Sequence, residues 1–488
     1  MTERKRIYLC LAHMSENGVE QRYVKEAFDT NWVVPLGPNV NGFEKDLEDF
    51  VSHSIALVPE QSSPTRSLSE GKGVGKRVVA LSSGTAAVHL GLLAAGVKAG
   101  DEVIVQSFTF CASTHPITYL GATPILVDSE PDTWNIDPDL MEEAIKDRIA
   151  KTGKKPAAIV PVALYGMPYK VDHIMEIANK YGIPVVEDAA EGFGSRYKGQ
   201  VLGTFGKYGV LSFNGNKMIT TSGGGALICN GNPSSGSHPS GEDIEGADDQ
   251  WREIMMYATQ YRESYPYYQH EKIGYNYRMS NICAGIGRGQ MTVVDQHLKH
   301  HKHVQALYEE LLKDVKGVHV HSQPQEKWSM TNGQGLMVYD SNYWLCTITI
   351  DPEVKIKGQE NAYNTIVTGA VGGAAGVIHA AKSAHTDCEP NDNVEALRVI
   401  MDQAQIEARP LWKPMHCQPV YRRTTVKGKV DREIMPSGVI CETYDTSAAY
   451  INGVSEALFK VGMCLPSGPY VTDDDVKYIV DTIKNAII

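Results

Sequence analysis

The stretch from Ser212 to Leu227, SFNGNKMITTSGGGAL, sets one lysine, Lys217, between an apolar run and three consecutive glycines. An amine in that setting can clamp a phosphate, bond covalently to a carbonyl, or sit solvated in a loop. Three other patches carry complementary chemistry. In SSGTAAVHL (82–90), Gly84 and Thr85 open a helical pattern, where backbone N–H groups and a hydroxyl either bind an anion or simply cap the helix. In IPVVEDAAEGFG, Asp188 ends an apolar run, so its carboxylate needs a partner or serves as a cap. SFTFCAST carries Phe108 and Phe110, aromatic faces that pack in a core or against a flat ring.

The elements around these patches read as alternating strands and helices. VVALSS, DEVIVQS, TPILVDS, AAIVPVAL, IPVVEDAA, YGVLSF and GGALICN are apolar enough to be strands buried on both faces. Helical patterns such as TAAVHLGLLAAGV and DPDLMEEAIKD separate the earlier ones, and YKVDHIMEIANKYG stops at Gly182. The order predicts an α/β fold with a mostly parallel, seven-stranded sheet between helices. The four patches then fall at the carboxyl ends of strands, where open α/β sheets hold ligands. A large domain is expected over 1–285 and a smaller C-terminal α+β domain over 286–488, opening with VVDQHLKHHKHVQALYEELLKDV. Segments 59–76 and 230–249 are rich in Ser, Gly and Pro and read as loop insertions, with a further insertion near 355–395.

With 488 residues, 42% hydrophobic and 21% charged, the chain has the composition of a globular protein. Its net charge of -12 argues against a nucleic-acid binder. No apolar run approaches the roughly 20 residues of a membrane span, and none resembles a signal peptide core. The nine cysteines form no C-x-x-C pair and signal neither a metal site nor a disulfide framework. Such thiols fit a reducing cytosol, so a cytoplasmic protein is expected. GKGVGKRVV breaks the P-loop spacing and has Arg77 in place of the Ser/Thr. His297, His300, His301 and His303 share a helix without an accompanying carboxylate or thiol set, as a solvated face would.

Taken in order, the patches offer an anion nest, an aromatic face, a carboxylate and an amine. Pyridoxal phosphate has the matching parts: a phosphate, a flat ring, a protonatable ring nitrogen and an aldehyde. Asp188 would keep that nitrogen protonated. Lys217 would hold the aldehyde and, once released, serve as general base.

At this level of detail the chain resembles the nucleotide-sugar aminotransferases of the aspartate-aminotransferase fold (type I). The resemblance runs through NWVVPLGPNVNGFEKDLEDF, SSGTAAVHLGL, GDEVIVQSFTFCAST, VEDAAEGFGSRYKG, LSFNGNKMITTSGGGAL, IGYNYRMSN, SNYWLCTITID, EARPLWKPMH and CLPSGPYVTDDDV. It implies that Gly84, Thr85 and Ser212 hold the phosphate, Phe110 stacks on the ring, Asp188 pairs with the ring nitrogen, and Lys217 bonds the cofactor. It also implies that Asn276, with Arg278 beside it, reaches the phosphate of a second subunit, hence a homodimer with shared sites. Glu191 stands near the ring where such enzymes often have Gln, and Ala163 where many have His. Substrate contacts are expected from Asn31, Trp32 and the segment Arg409 to His416. The implied reaction transfers an amino group from L-glutamate to a nucleotide-linked keto sugar. The wording around Lys217 is most similar to enzymes acting on UDP-4-keto-6-deoxy-N-acetylglucosamine, with GDP- and dTDP-linked sugars as alternatives. A lysine at 217 speaks against the dehydratases of this fold, which carry His there, and no basic module suggests a regulatory protein.

Overall fold

The computed structural model describes residues 5–52, 76–231, 243–329, 335–364, 366–367, 381–382, 388–422 and 430–488. Of the expected insertions, 59–75, 232–242 and much of 355–395 lie outside the described residues. The loop expected through 249 gives way to a helix, Asp243–Ala258.

Seven strands build the main sheet: β1 (Arg77–Leu81), β2 (Glu102–Gln106), β3 (Thr123–Val127), β4 (Ala158–Val160), β5 (Val186–Asp188), β6 (Tyr208–Ser212) and β7 (Gly225–Cys229). Their spatial order is β3-β2-β4-β5-β6-β7-β1, with β4 and β5 joined through parallel bridges at Ile159–Val185 and Val162–Asp188. All run parallel except β7, which is antiparallel to both neighbours. Val103, Ile104, Val105, Ile125 and Leu126 are fully buried, as strands covered by helices on both faces require. The parallel direction brings Ser82, Ser107, Asp188 and Ser212 to one edge of the sheet.

Most of the strands after residue 285 divide between two sheets. Ala448–Ile451 pairs parallel with β3, and Ile440–Thr443 and Asp431–Ile434 continue the sheet antiparallel. Residues 431–451 thus extend the first sheet. Its outermost strand is exposed throughout and carries Asp431, Arg432 and Glu433, charges that discourage pairing with another chain. The remainder forms an antiparallel sheet of Val318–Val320, Cys346–Ile350, Gly462–Leu465 and Arg409–Pro410. Helices Val294–Leu312, Asp392–Gln403 and Asp473–Ala486 share a separate apolar core with it. Among the described residues no helix is long and apolar enough to cross a membrane.

The helices Val19–Asp29 and Pro38–Ser52 pack on Asn281–Met291. A Cβ on Gly289 would meet Glu20 at 2.6 Å, so the absent side chain permits that approach. Arg278 completes this corner. Its guanidinium is buried, 2.5 Å from Glu44 Oε1, and donates to the Ala80 carbonyl at 3.0 Å, while Ala80 N–H donates to the same Glu44 oxygen. Removing one partner of a buried pair strands the other charge, which costs about 3–5 kcal/mol. Arg278→Ala is therefore expected to lower the unfolding free energy obtained from urea titration by that amount, and a loss of less than ~0.5 kcal/mol would show the pair to be structurally idle.

Candidate active site

Strand alternation sends the neighbours Glu187 and Asp188 to opposite faces of β5. Glu187 is a structural anchor: it accepts from Tyr169 Oη at 2.7 Å and from the N–H groups of Gly203, Phe205 and Gly206 at 3.0, 2.6 and 2.6 Å. Asp188 faces the site. Ser113 Oγ donates to its Oδ2 at 2.6 Å and Ala190 N–H to its Oδ1 at 3.1 Å, and Thr109 Oγ1 lies 2.8 Å from Ser113 Oγ. Burial raises the Asp188 carboxyl above its usual range, and the nearby Lys217 charge only partly opposes this. A carboxylate so placed is completed by a further cation.

Glu191, three residues on, is buried as well. Its Oε1 lies 3.3 Å from Lys217 Nζ, and its Oε2 accepts from Tyr165 N–H at 2.8 Å. Burial is again the main cause of its raised pKa, countered by Lys217 and reinforced by Asp188. Tyr165 adopts a left-handed φ of 55°, and its hydroxyl accepts from Trp412 N–H at 2.8 Å. Ala163 is fully buried, and a Cβ on Gly192 would come within 2.7 Å of the Ala163 Cβ, so these two small residues pack closely.

Lys217 Nζ sits 3.8 Å above the Trp344 ring, whose indole N–H donates to the Asn216 carbonyl at 2.6 Å. The ammonium is thus gripped by one carboxylate and one aromatic face. Trp344 belongs to SNYWLCTITID, part of the resemblance to which the sequence assigned no role.

At the neighbouring strand ends, Ser83 caps helix Gly84–Ala95 by accepting from Ala86 N–H. A Cβ on Gly84 would lie 2.9 Å from Ser212 Cβ and 3.2 Å from its Oγ, so glycine keeps that corner open. A Cβ on Gly225 would strike the Gly84 nitrogen at 2.4 Å, which makes this last of the three glycines a close-packing residue. Gly84 and Thr85 thereby open the helix beside Ser212 at the end of β6, an arrangement suited to a phosphate.

Phe110 is 55% exposed, and its ring centroid lies 6.2 Å from that of Trp412. Both line a cavity of about 390 Å³ that also touches Thr109, His115, Lys413 and Gln418. Lys413 is a cation of this cavity and lies within the RPLWKPMH segment from which substrate contacts were expected.

The other expected site residues lie elsewhere. Arg278 is committed to Glu44 inside its own chain. Asn276 is exposed, bridged to Thr259 through the backbone. Asn31 and Trp32 follow the helix Val19–Asp29 on the surface, where Asn281 donates to the Trp32 carbonyl at 2.9 Å. Arg409 pairs with Glu407 at 2.7 Å. His416 is buried; its Nδ1 lies 2.7 Å from Ser107 Oγ and its Nε2 3.1 Å from Glu456, so it braces the segment rather than lining the cavity. His297 and His301 are buried against the carbonyls of Met218 and Tyr343, in place of the expected solvated face.

The family model for the DegT/DnrJ/EryC1/StrS aminotransferase family matches residues 65–358. The chain belongs to that family. The aminotransferase is 36% identical to the provisionally named pyridoxal phosphate-dependent aminotransferase EpsN of Bacillus subtilis (strain 168), over 98% of this chain and 95% of the relative. It is 28% identical to a GDP-perosamine synthase of Escherichia coli O157:H7, over 98% of both chains. Its fold matches a DegT DnrJ EryC1 StrS aminotransferase from Brucella abortus with a TM-score of 0.68 at 22% identity, covering 96% and 95% of the two chains. It also matches the PLP form of the provisionally named sugar aminotransferase Spr1654 from Streptococcus pneumoniae with a TM-score of 0.69 at 20% identity, covering 99% and 98%.

Because Asp188 and Glu191 have raised folded-state pKa values, their ionisation opposes folding. Their contribution is present at low pH and is lost as pH rises through those values. Lys217→Met, nearly isosteric, removes the opposing cation. Its melting temperature without cofactor is expected to fall below wild type at about pH 8 and to converge toward it near pH 5; a gap constant across that range would mean Lys217 does not offset the carboxylates.

Proposed function

We propose that this aminotransferase moves an amino group from L-glutamate to a nucleotide-linked 4-keto-6-deoxy sugar, using pyridoxal phosphate bound at Lys217. The observation that carries the reading is Lys217 Nζ held 3.3 Å from Glu191 and 3.8 Å from the Trp344 ring, beside the buried Asp188. The cofactor, when bound, supplies an electron sink and a carrier for the amino group. Lys217 would anchor it and, when free, would move a proton from the donor α-carbon to the cofactor in the first half of the reaction and from the cofactor to the sugar C4 in the second. Asp188 holds positive charge at the ring nitrogen, its two oxygens fixed by Ser113 and Ala190. The N–H groups at 84–85 and Ser212 bind the phosphate, and Phe110 covers the ring. Lys413 in the cavity offers a cation to the donor carboxylate or the nucleotide diphosphate.

The sugar is taken to be UDP-4-keto-6-deoxy-N-acetylglucosamine on the wording around Lys217. A GDP-linked keto sugar is the second reading, favoured by the nearly full-length alignment with GDP-perosamine synthases of Escherichia coli O157:H7 and Vibrio cholerae. A cytoplasmic homodimer with Asn276 near the partner's phosphate fits the exposed Tyr267, Tyr268 and Ile273 beside it.

Loaded with pyridoxal phosphate and given glutamate, the protein is expected to release about one equivalent of 2-oxoglutarate per site, and to turn over repeatedly only when a UDP-, GDP- or dTDP-linked 4-keto sugar is added. Lys217→Ala should abolish turnover, and Asp188→Asn should reduce it by about 10²-fold or more while the cofactor remains bound. Undiminished turnover in Lys217→Ala, or no turnover with any keto sugar, would overturn the assignment.

A further inference from the structure

Cys388, Cys417 and Glu456 come from three distant parts of the chain and meet beside the active-site segment. Cys388 precedes helix Asp392–Gln403, Cys417 ends the 3-10 turn Met415–Cys417, and Glu456 lies in helix Val454–Val461. Their two sulfurs and a carboxylate oxygen all lie within 4.8 Å of one another, and among the described residues no other three thiol, imidazole or carboxylate groups converge in this way. Both cysteines are buried and form a small cluster with Phe459. A tetrahedral ion bonded to sulfur at about 2.3 Å and to oxygen at about 2.0–2.2 Å holds these donors about 3.5–3.8 Å apart. Side-chain adjustment of about 1 Å or less brings three donors that lie within 4.8 Å of one another into that range.

We propose that Cys388, Cys417 and Glu456, with a water molecule as the fourth ligand, form a site for a thiophilic divalent cation of the zinc class. Two sulfur donors select such a cation over magnesium or calcium, which take oxygen donors. Binding releases the two thiol protons, and no electron is transferred. Glu456 already favours its ionised form, chiefly because His416 hydrogen-bonds to it. Two thiolates, a carboxylate and a dication leave one excess negative charge, which the neighbouring Lys413 and Arg422 offset. His416 Nε2 orients the carboxylate from 3.1 Å, as histidines and carboxylates around bound metals commonly do for one another. The other ring nitrogen of His416 and its backbone N–H lie 2.7 and 3.2 Å from Ser107 Oγ, at the end of β2. The cation would thus staple the wall of the cavity, Trp412 to Gln418, to the two helices behind it.

The test uses the reduced full-length protein and Co(II) alone as a spectroscopic probe. One equivalent per chain is expected to give the intense visible bands of a tetrahedral site and a near-ultraviolet thiolate-to-cobalt band, both displaced by Zn(II). Cys388→Ser and Cys417→Ser should each weaken Co(II) binding at least about tenfold, and so should Glu456→Gln, which leaves both thiols in place. Circular dichroism confirms that each variant is folded. Lys217→Ala should bind Co(II) as wild type does, which separates this site from the aminotransferase reading. Absence of cobalt uptake, a thiolate band that survives the double serine variant, or a purified protein that forms a Cys388–Cys417 disulfide and binds no cobalt after reduction would overturn the proposal.

Discussion

Asp188 and Glu191 are buried within four residues of each other, and two carboxylates cannot both be ionised there unless a cation stands by them. Lys217 is that cation, and much of the surrounding architecture serves to keep it in place. Glu191 is fixed by the Tyr165 backbone, Asp188 by Ser113 and Ala190, and Lys217 by the Trp344 ring. In a site of low effective dielectric these contacts are stronger than they would be at the surface. The same burial leaves Asp188 short of positive charge, the deficiency that a protonated ring nitrogen makes good.

This constraint reaches into both halves of the chain. Trp344 and Trp412 follow the main sheet by more than a hundred residues, yet their rings lie 6.5 Å apart, with Tyr165 5.6 Å from Trp412. Asn342 holds that corner closed, donating to the carbonyls of Glu191 and Phe193 at 2.9 Å each. A Cβ on Gly166 would fall 1.8 Å from its Oδ1, so the glycine at this left-handed position is fixed by contact as well as by φ. The amine, its carboxylate partner and the second unit are thereby one packed assembly rather than a loop laid over a sheet.

The departures from the expected pattern also acquire reasons. Arg278 holds Glu44 and the end of β1, so its positive charge supports the corner from which the Gly84 helix starts. His297 and His301 of helix Val294–Leu312 turn inward because that helix is wedged between the Lys217 loop and the second sheet, while His303 faces out toward Asp473. Burial holds His301 as neutral imidazole, its pKa lowered to about 3. These are side chains whose polarity suggested solvent and whose packing denies it.

The sequence by itself determined the main sheet and the four patches at its edge. Strands buried on both faces must be apolar throughout, and groups that meet a ligand must follow them at their carboxyl ends, so both leave local marks that can be read along the chain. The placement of Asp188, Ser212, Gly84 and Thr85 at or just after strand ends, with Lys217 in the loop that follows, was legible for that reason. The grip of Trp344 on the ammonium, the addition of residues 431–451 to the first sheet, the ion pair of Arg278 and the meeting of Cys388 with Cys417 were not. Each joins residues dozens to hundreds of positions apart, and a contact of that kind has no period or spacing in the chain. Only the packing of the two cores brings those groups within reach of each other.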